Sequence, residues 1–147
     1  MTNMEWNNVG PESYVMKWEI DGVLARGHRP GYPKNRPSLQ RIQQWTDIIL
    51  DMGIKSIICL LDHDQMHYYN SVGFTLGGLL DYYRSLGLGV VHIPADDYKS
   101  PPLNQHQLSK VIEAFVSLET PVLVHCSAGQ DRAGAAVWHI KEALKQE

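Results

Sequence analysis

His125, Cys126, Gly129 and Arg132 crowd into one short stretch, "VLVHCSAGQDRAG" (122–134). An apolar run, Val122 to Val124, leads into a histidine and a thiol. Small and polar residues follow, then a cation. Where a strand feeds such a loop into a helix, the first helical N–H groups have no intrahelical partner. Together with the helix dipole they form an anion site. Gly129 lets the backbone curl so that successive amides converge. The same field favours a thiolate at Cys126. Arg132 offers a planar fork that grips two oxygens of a phosphate. The loop can hold a tetrahedral oxyanion over a nucleophilic sulfur. Ser127, Ala128, Gly129, Gln130 and Asp131 would line it, and Arg132 would supply charge.

The flanking pattern supplies the elements that loop needs. "YVMKWEI" (14–20) alternates as a strand, Asp21-Gly22 is a turn signal, and "VLARG" continues as a hairpin partner. "HRPGYPKNRP" (28–37) is a proline-rich loop. Ser38 can cap a helix with Leu39, Ile42, Trp45, Ile49 and Met52 on one face, ended by Gly53. "IKSIICLL" (54–61) reads as a buried strand, and "DHDQMHYYNSVG" as an ambiguous segment with room for a short helix. A helix over 75–87, a strand over 89–94, a helix over 103–118, the strand "PVLVHC" and a helix over 133–145 follow. This alternation predicts an α/β fold, a single domain with a central mainly parallel sheet flanked by helices. Ligands bind such sheets at the carboxyl ends of strands, where Cys126 and the loop after Pro94 both fall.

Composition narrows the classes. The chain of 147 residues suits one domain over 1–147, with residues 1–13 loosely ordered. Its formal net charge of -3 gives no pull toward nucleic acid or an anionic membrane. No apolar run is long enough to span a bilayer. Two cysteines, Cys59 and Cys126, give no disulfide framework, so a reduced, cytoplasmic setting is expected. Cys59, inside an apolar strand, reads as a core thiol.

"HCSAGQDR" matches the H-C-x-x-G-x-x-R loop of the cysteine-based protein tyrosine phosphatases. The short chain, with this loop near its end, resembles the dual-specificity phosphatase branch. "DGVLARGHRPGYP" resembles that branch's opening hairpin, "MGIKSIICLL" its helix-to-strand step, and "HIPADDYKSPP" the loop that delivers its general acid. The resemblance covers roughly residues 18 to 145. It implies a phosphomonoester hydrolase without cofactor or metal, acting on a phosphorylated protein or a small phosphomonoester. The oligomeric state is left open.

Hydrolysis also needs a proton for the departing oxygen. The family's acid lies about thirty residues before its cysteine, and Asp96 and Asp97 both fit. Asp97 is preferred for its spacing from Pro94 and Pro101, with Asp96 as runner-up. The resemblance implies that the Cys126 thiolate attacks phosphorus while Asp97 protonates the leaving oxygen, and that His125 orients the loop. One position departs from the family: Ala133 stands where Ser or Thr usually follows the arginine. That hydroxyl helps the sulfur, so Ala133 makes a phosphate-binding pseudophosphatase with little turnover an alternative. A rhodanese-like sulfurtransferase or an arsenate reductase is a second one. The family usually adds helices beyond the last one here, so the C-terminus is expected to be trimmed.

Weaker patterns are set aside. His63 and His67 share a helical spacing suited to a metal, but no third ligand follows, so a solvated face is expected. Arg26, His28 and Arg29 are expected to form an exposed basic loop. Tyr68, Tyr69, Tyr82 and Tyr83 are expected to serve packing and surface. The loop positions carry no lysine beside Arg132. That disfavours polyphosphorylated inositol lipids and leaves phosphotyrosine-type monoesters as the expected substrate.

Overall fold

The computed structural model describes residues 16–74 and 77–146. The expected loose segment 1–13, and positions 14, 15, 75 and 76 of two expected elements, lie outside the described residues. The chain opens with β1 (Met16–Ile20) and β2 (Leu24–Gly27), an antiparallel hairpin. Gly22 turns it at φ 71°, a left-handed conformation that costs glycine no clash. Then come α1 (Leu39–Asp51), β3 (Ser56–Cys59), α2 (His63–His67), α3 (Leu79–Ser85), β4 (Gly89–His92), α4 (Gln105–Ser117), β5 (Val122–His125) and α5 (Asp131–Leu144).

The sheet order is β1-β2-β5-β3-β4. Among the described residues only the opening hairpin is antiparallel; β2, β5, β3 and β4 run parallel, as the alternation of helices and strands predicts. Every residue of β3 and β5 is buried, because helices cover both faces of the sheet. Successive strand residues point to opposite sides. Ala25, Ile57 and Leu123 pack with Ile42, Trp45 and Ile49 of α1 and Tyr83 of α3. Leu24, Ile58 and Val124 pack on the other side with Val111 of α4 and Val137 and Ile140 of α5.

Local signals fix the helix ends. Ser38 Oγ accepts a bond from Arg41 N at 3.1 Å and starts α1. The ambiguous segment after β3 forms α2. There Asp62 Oδ1 accepts from Gln65 N at 2.8 Å, while Gln65 Oε1 accepts from Asp62 N at 3.3 Å, a reciprocal cap. α3 starts at Leu79, later than the pattern suggests, after the poor helix formers Gly77 and Gly78.

The register decides where the chemistry sits. His125 pairs with Gly27 on one side and with Cys59 on the other. Cys126 is the next residue, so the thiol leaves the sheet from its central strand, at the carboxyl edge.

Candidate active site

The loop from Cys126 to Asp131 rests on the end of β2. Gly129 has φ 76°, and a Cβ there would lie 2.7 Å from Gly27 C and 2.8 Å from His28 N. Any larger residue would drive the loop off that strand. Arg29 latches the loop twice: its N donates to Ser127 O at 2.9 Å and its Nε to Ser127 Oγ at 3.1 Å. Cys126 is buried, and its Sγ accepts a bond from Ala133 N, in the first turn of α5, at 3.4 Å. An amide that the helix cannot use itself thus serves the sulfur.

His125 is fully buried beneath the loop. Its Nδ1 lies 3.2 Å from Cys126 O, and its Nε2 lies 2.9 Å from Tyr83 Oη. A carbonyl can only accept, so Nδ1 carries the proton and Nε2 accepts from the Tyr83 hydroxyl. Burial lowers the ring's pKa to about 3 and keeps it neutral. Burial also pushes the Tyr83 phenol well above its ordinary value, so the donor stays protonated. Trp45 meets the imidazole edge-on at 5.6 Å.

Arg132 has one anchored end and one end toward the cleft. Its Nη1 donates to Leu60 O at 3.2 Å, Ala95 O at 2.6 Å and Gln65 Oε1 at 2.9 Å. Its Nη2 pairs with Asp97 Oδ2 at 3.1 Å. Among the described residues, its Nε is buried and unbonded. The Nε–Nη2 edge is therefore the fork left for an oxyanion. Asp97 is held in turn by Gln65 Nε2, which donates to Oδ2 at 3.0 Å, and by Tyr98 N, which donates to Oδ1 at 3.0 Å.

Cys126, Ser127, Ala128, Gln130, Asp131, Arg132 and Asp97 line one cleft of about 120 Å³, flanked by Tyr32 and Tyr98. Asp96 lines a different cavity with His63, Lys99 and Pro101. The two neighbouring carboxylates thus face different ways, and only Asp97 meets the thiol's cleft.

The chain matches a family model, "Polymorphic toxin system, DSP-PTPase phosphatase", over residues 34–142. It belongs to this family. The match runs from the loop before α1 to the last turns of α5 and makes the chain a protein-tyrosine-phosphatase-like hydrolase. Solved structures share the fold of this DSP-PTPase. The Siw14 catalytic core is 18% identical, with TM-score 0.55 over 93% of this chain and 69% of that one. The core catalytic domain of the PP-IP phosphatase Siw14 from S. cerevisiae, in complex with citrate, is 17% identical, with TM-score 0.56 over the same shares, 93% and 69%. A mutant form of Tk-PTP is 20% identical, with TM-score 0.52 over 89% of this chain and 79% of that one. No curated protein matches the chain.

The DSP-PTPase differs from its sequence reading in the basic loop after β2. An exposed Arg26, His28 and Arg29 were expected, yet His28 is 0% and Arg29 2% exposed. Arg29 stacks over Tyr68 at 4.8 Å and donates to Lys34 O at 2.8 Å, while its bonds to Ser127 prop the Cys126–Arg132 loop from inside. Burial lowers the His28 pKa to about 4. Arg26 sits 3.3 Å from Glu19. Tyr69 and Tyr83 are core residues, as is Cys59, whose thiol burial pushes up to about 12. Among the described residues, no three His, Cys, Asp or Glu side chains gather to hold a metal, and no helix is long and apolar enough to cross a membrane. Gln65 escaped the sequence reading. D-x-x-Q could have shown its cap, but not its reach to Asp97 and Arg132.

Proposed function

We propose that this DSP-PTPase hydrolyses phosphomonoesters through a phosphocysteine on Cys126. The Cys126 thiolate attacks phosphorus in line, and the bond to the leaving oxygen breaks as Asp97 gives that oxygen its proton. The loop amides and the Nε–Nη2 edge of Arg132 hold the equatorial oxygens, where transition-state charge is spread. Water then attacks the phosphocysteine and loses a proton to Asp97. Inorganic phosphate leaves, and the thiolate is restored. His125, neutral and bonded at both nitrogens, orients the loop and takes no part in proton transfer. The observation that carries this reading is the meeting of Cys126, Arg132 and Asp97 in one cleft while Asp96 opens elsewhere.

The substrate is a phosphotyrosine-type monoester. The loop carries no cation beyond Arg132, which suits one phosphate and not a cluster of them. Tyr98 stands 96% exposed at the cleft, where an aromatic leaving group would lie against it. Turnover of a phosphotyrosine peptide, a phosphoserine peptide and an inositol pyrophosphate, measured side by side, tests this. The phosphotyrosine peptide should lead in kcat/KM. Tyr98→Ala should lower that lead by roughly two- to tenfold. A preference for the inositol pyrophosphate would overturn the assignment.

A further inference from the structure

We infer that Gln65 is a positioning residue that keeps Asp97 over the cleft while a phosphate shares Arg132 with it. The inference rests on reading Asp97 as the acid. Asp97 Oδ2 accepts from two side-chain donors, Arg132 Nη2 at 3.1 Å and Gln65 Nε2 at 3.0 Å. Only the first also belongs to the edge that grips an oxyanion. Nη2 carries two N–H groups, so a phosphate dianion that engages Nε and Nη2 shares that nitrogen, and the positive charge, with Asp97. Two holds on the carboxyl do not depend on that sharing, Tyr98 N on Oδ1 and Gln65 Nε2 on Oδ2. The backbone hold leaves the side chain free to swing about it. Gln65 supplies the second point, and with it the direction of Oδ2.

The amide suits this place for a chemical reason. Its Oε1 accepts from Arg132 Nη1 at 2.9 Å and from Asp62 N at 3.3 Å, while its Nε2 donates to the acid. A side chain that accepts from a guanidinium and donates to a carboxyl at the same moment must carry both functions, which an ionised carboxylate or an ammonium cannot. The reverse orientation of the amide would face its oxygen to Asp97 and its NH₂ to two donors, so the contacts fix the assignment. Gln65 is itself 6% exposed and is tied to α2 by the cap, so the anchor is rigid. The acid and Arg132 are thus referred to one common group.

The test compares Gln65→Met, which loses both functions, with Gln65→Glu, which still accepts from Arg132 and Asp62 but cannot donate to Asp97. Each is assayed on phenyl phosphate, whose leaving group needs a proton, and on p-nitrophenyl phosphate, whose leaving group needs it far less. Vanadate affinity reports an intact loop. Both variants should lose about ten- to a hundredfold in kcat on phenyl phosphate and less than about threefold on p-nitrophenyl phosphate. Neither should lose further on phenyl phosphate in an Asp97→Asn background, because the two changes act on one step. Vanadate affinity should stay within about threefold, since Leu60 O and Ala95 O still hold Nη1. A Gln65→Glu variant with normal phenyl phosphate turnover would overturn the inference, and so would equal losses on both substrates. If Asp97→Asn itself shows no leaving-group dependence, the acid assignment falls, and this inference falls with it. Leaving-group dependence in Asp97→Asn alone removes the inference and spares the acid.

Discussion

Asp97 Oδ2 lies 3.1 Å from Arg132 Nη2, so the proposed acid and the proposed anion grip touch. In the proposed mechanism one guanidinium serves both the carboxylate and the phosphate. There a phosphate shares Arg132 with Asp97, and that sharing sets the carboxyl beside the leaving oxygen it has to protonate.

Removing the carboxylate should therefore have two opposite effects. Asp97→Asn should cut kcat on phenyl phosphate by about a hundredfold or more, with a much smaller loss on p-nitrophenyl phosphate. It should also bind vanadate more tightly, by roughly three- to tenfold, because the carboxylate that draws on the Arg132 charge and repels the anion is gone. Asp96→Asn should do neither. Parallel kinetics and vanadate titrations on the two variants check this, and an Asp96 variant with the larger acid defect would reverse the assignment.

Ala133 leaves the sulfur of Cys126 with a backbone donor, Ala133 N at 3.4 Å, and no hydroxyl. A hydrogen bond to a charged group contributes roughly 1.5–3 kcal/mol, or about ten- to a hundredfold in rate. Attack on phosphorus keeps the help of the helix N-terminus and Arg132. Breakdown of the phosphocysteine, with sulfur as leaving group, should suffer more. Rapid-quench kinetics should show a burst of product followed by slow turnover. Ala133→Ser should raise the steady rate without changing vanadate affinity. A missing burst and an unchanged steady rate in the Ser variant would contradict this.

Stability should fall in acid because of two histidines buried neutral. Burial lowers His125 from 6.5 to about 3 and His28 from 6.5 to about 4. Between those values and 6.5 the unfolded chain binds more protons than the folded one. Stability is therefore full above pH 6.5 and is lost as pH drops below it. At pH 5 each ring should cost about 2 kcal/mol relative to pH 8. Urea unfolding of the protein and of His28→Asn, whose amide can replace Nδ1 on Arg29 O, at both pH values measures the difference. An equal acid loss in the two proteins would contradict the His28 assignment.

Much of this was legible in the sequence. Apolar runs and helix spacing gave the alternating elements, and Ser38 gave the start of α1. The H-C-x-x-G-x-x-R loop pointed to Cys126 and Arg132 sharing one cleft, because both lie on one short stretch of backbone. What escaped depends on contacts between distant segments. Arg29 lies 98 residues from Ser127, and charge alone suggested an exposed loop. Gln65 lies 32 residues from Asp97 and 67 from Arg132, and a neutral amide carries no sequence signal for either contact. Asp96 and Asp97 differ by one position, and only the folded loop after β4 shows that they line different cavities.

The most direct measurement is on the sulfur itself. The protein is mixed with p-nitrophenyl phosphate and quenched in acid within milliseconds, then digested and sequenced by mass spectrometry. Its Cys126→Ser variant is treated in the same way. The peptide spanning Cys126 should carry one phosphoryl group on sulfur. The variant should carry none and should release no p-nitrophenol, while still binding vanadate. Phosphate found on another residue, or a folded Cys126→Ser variant that still hydrolyses the ester, would contradict the phosphocysteine route.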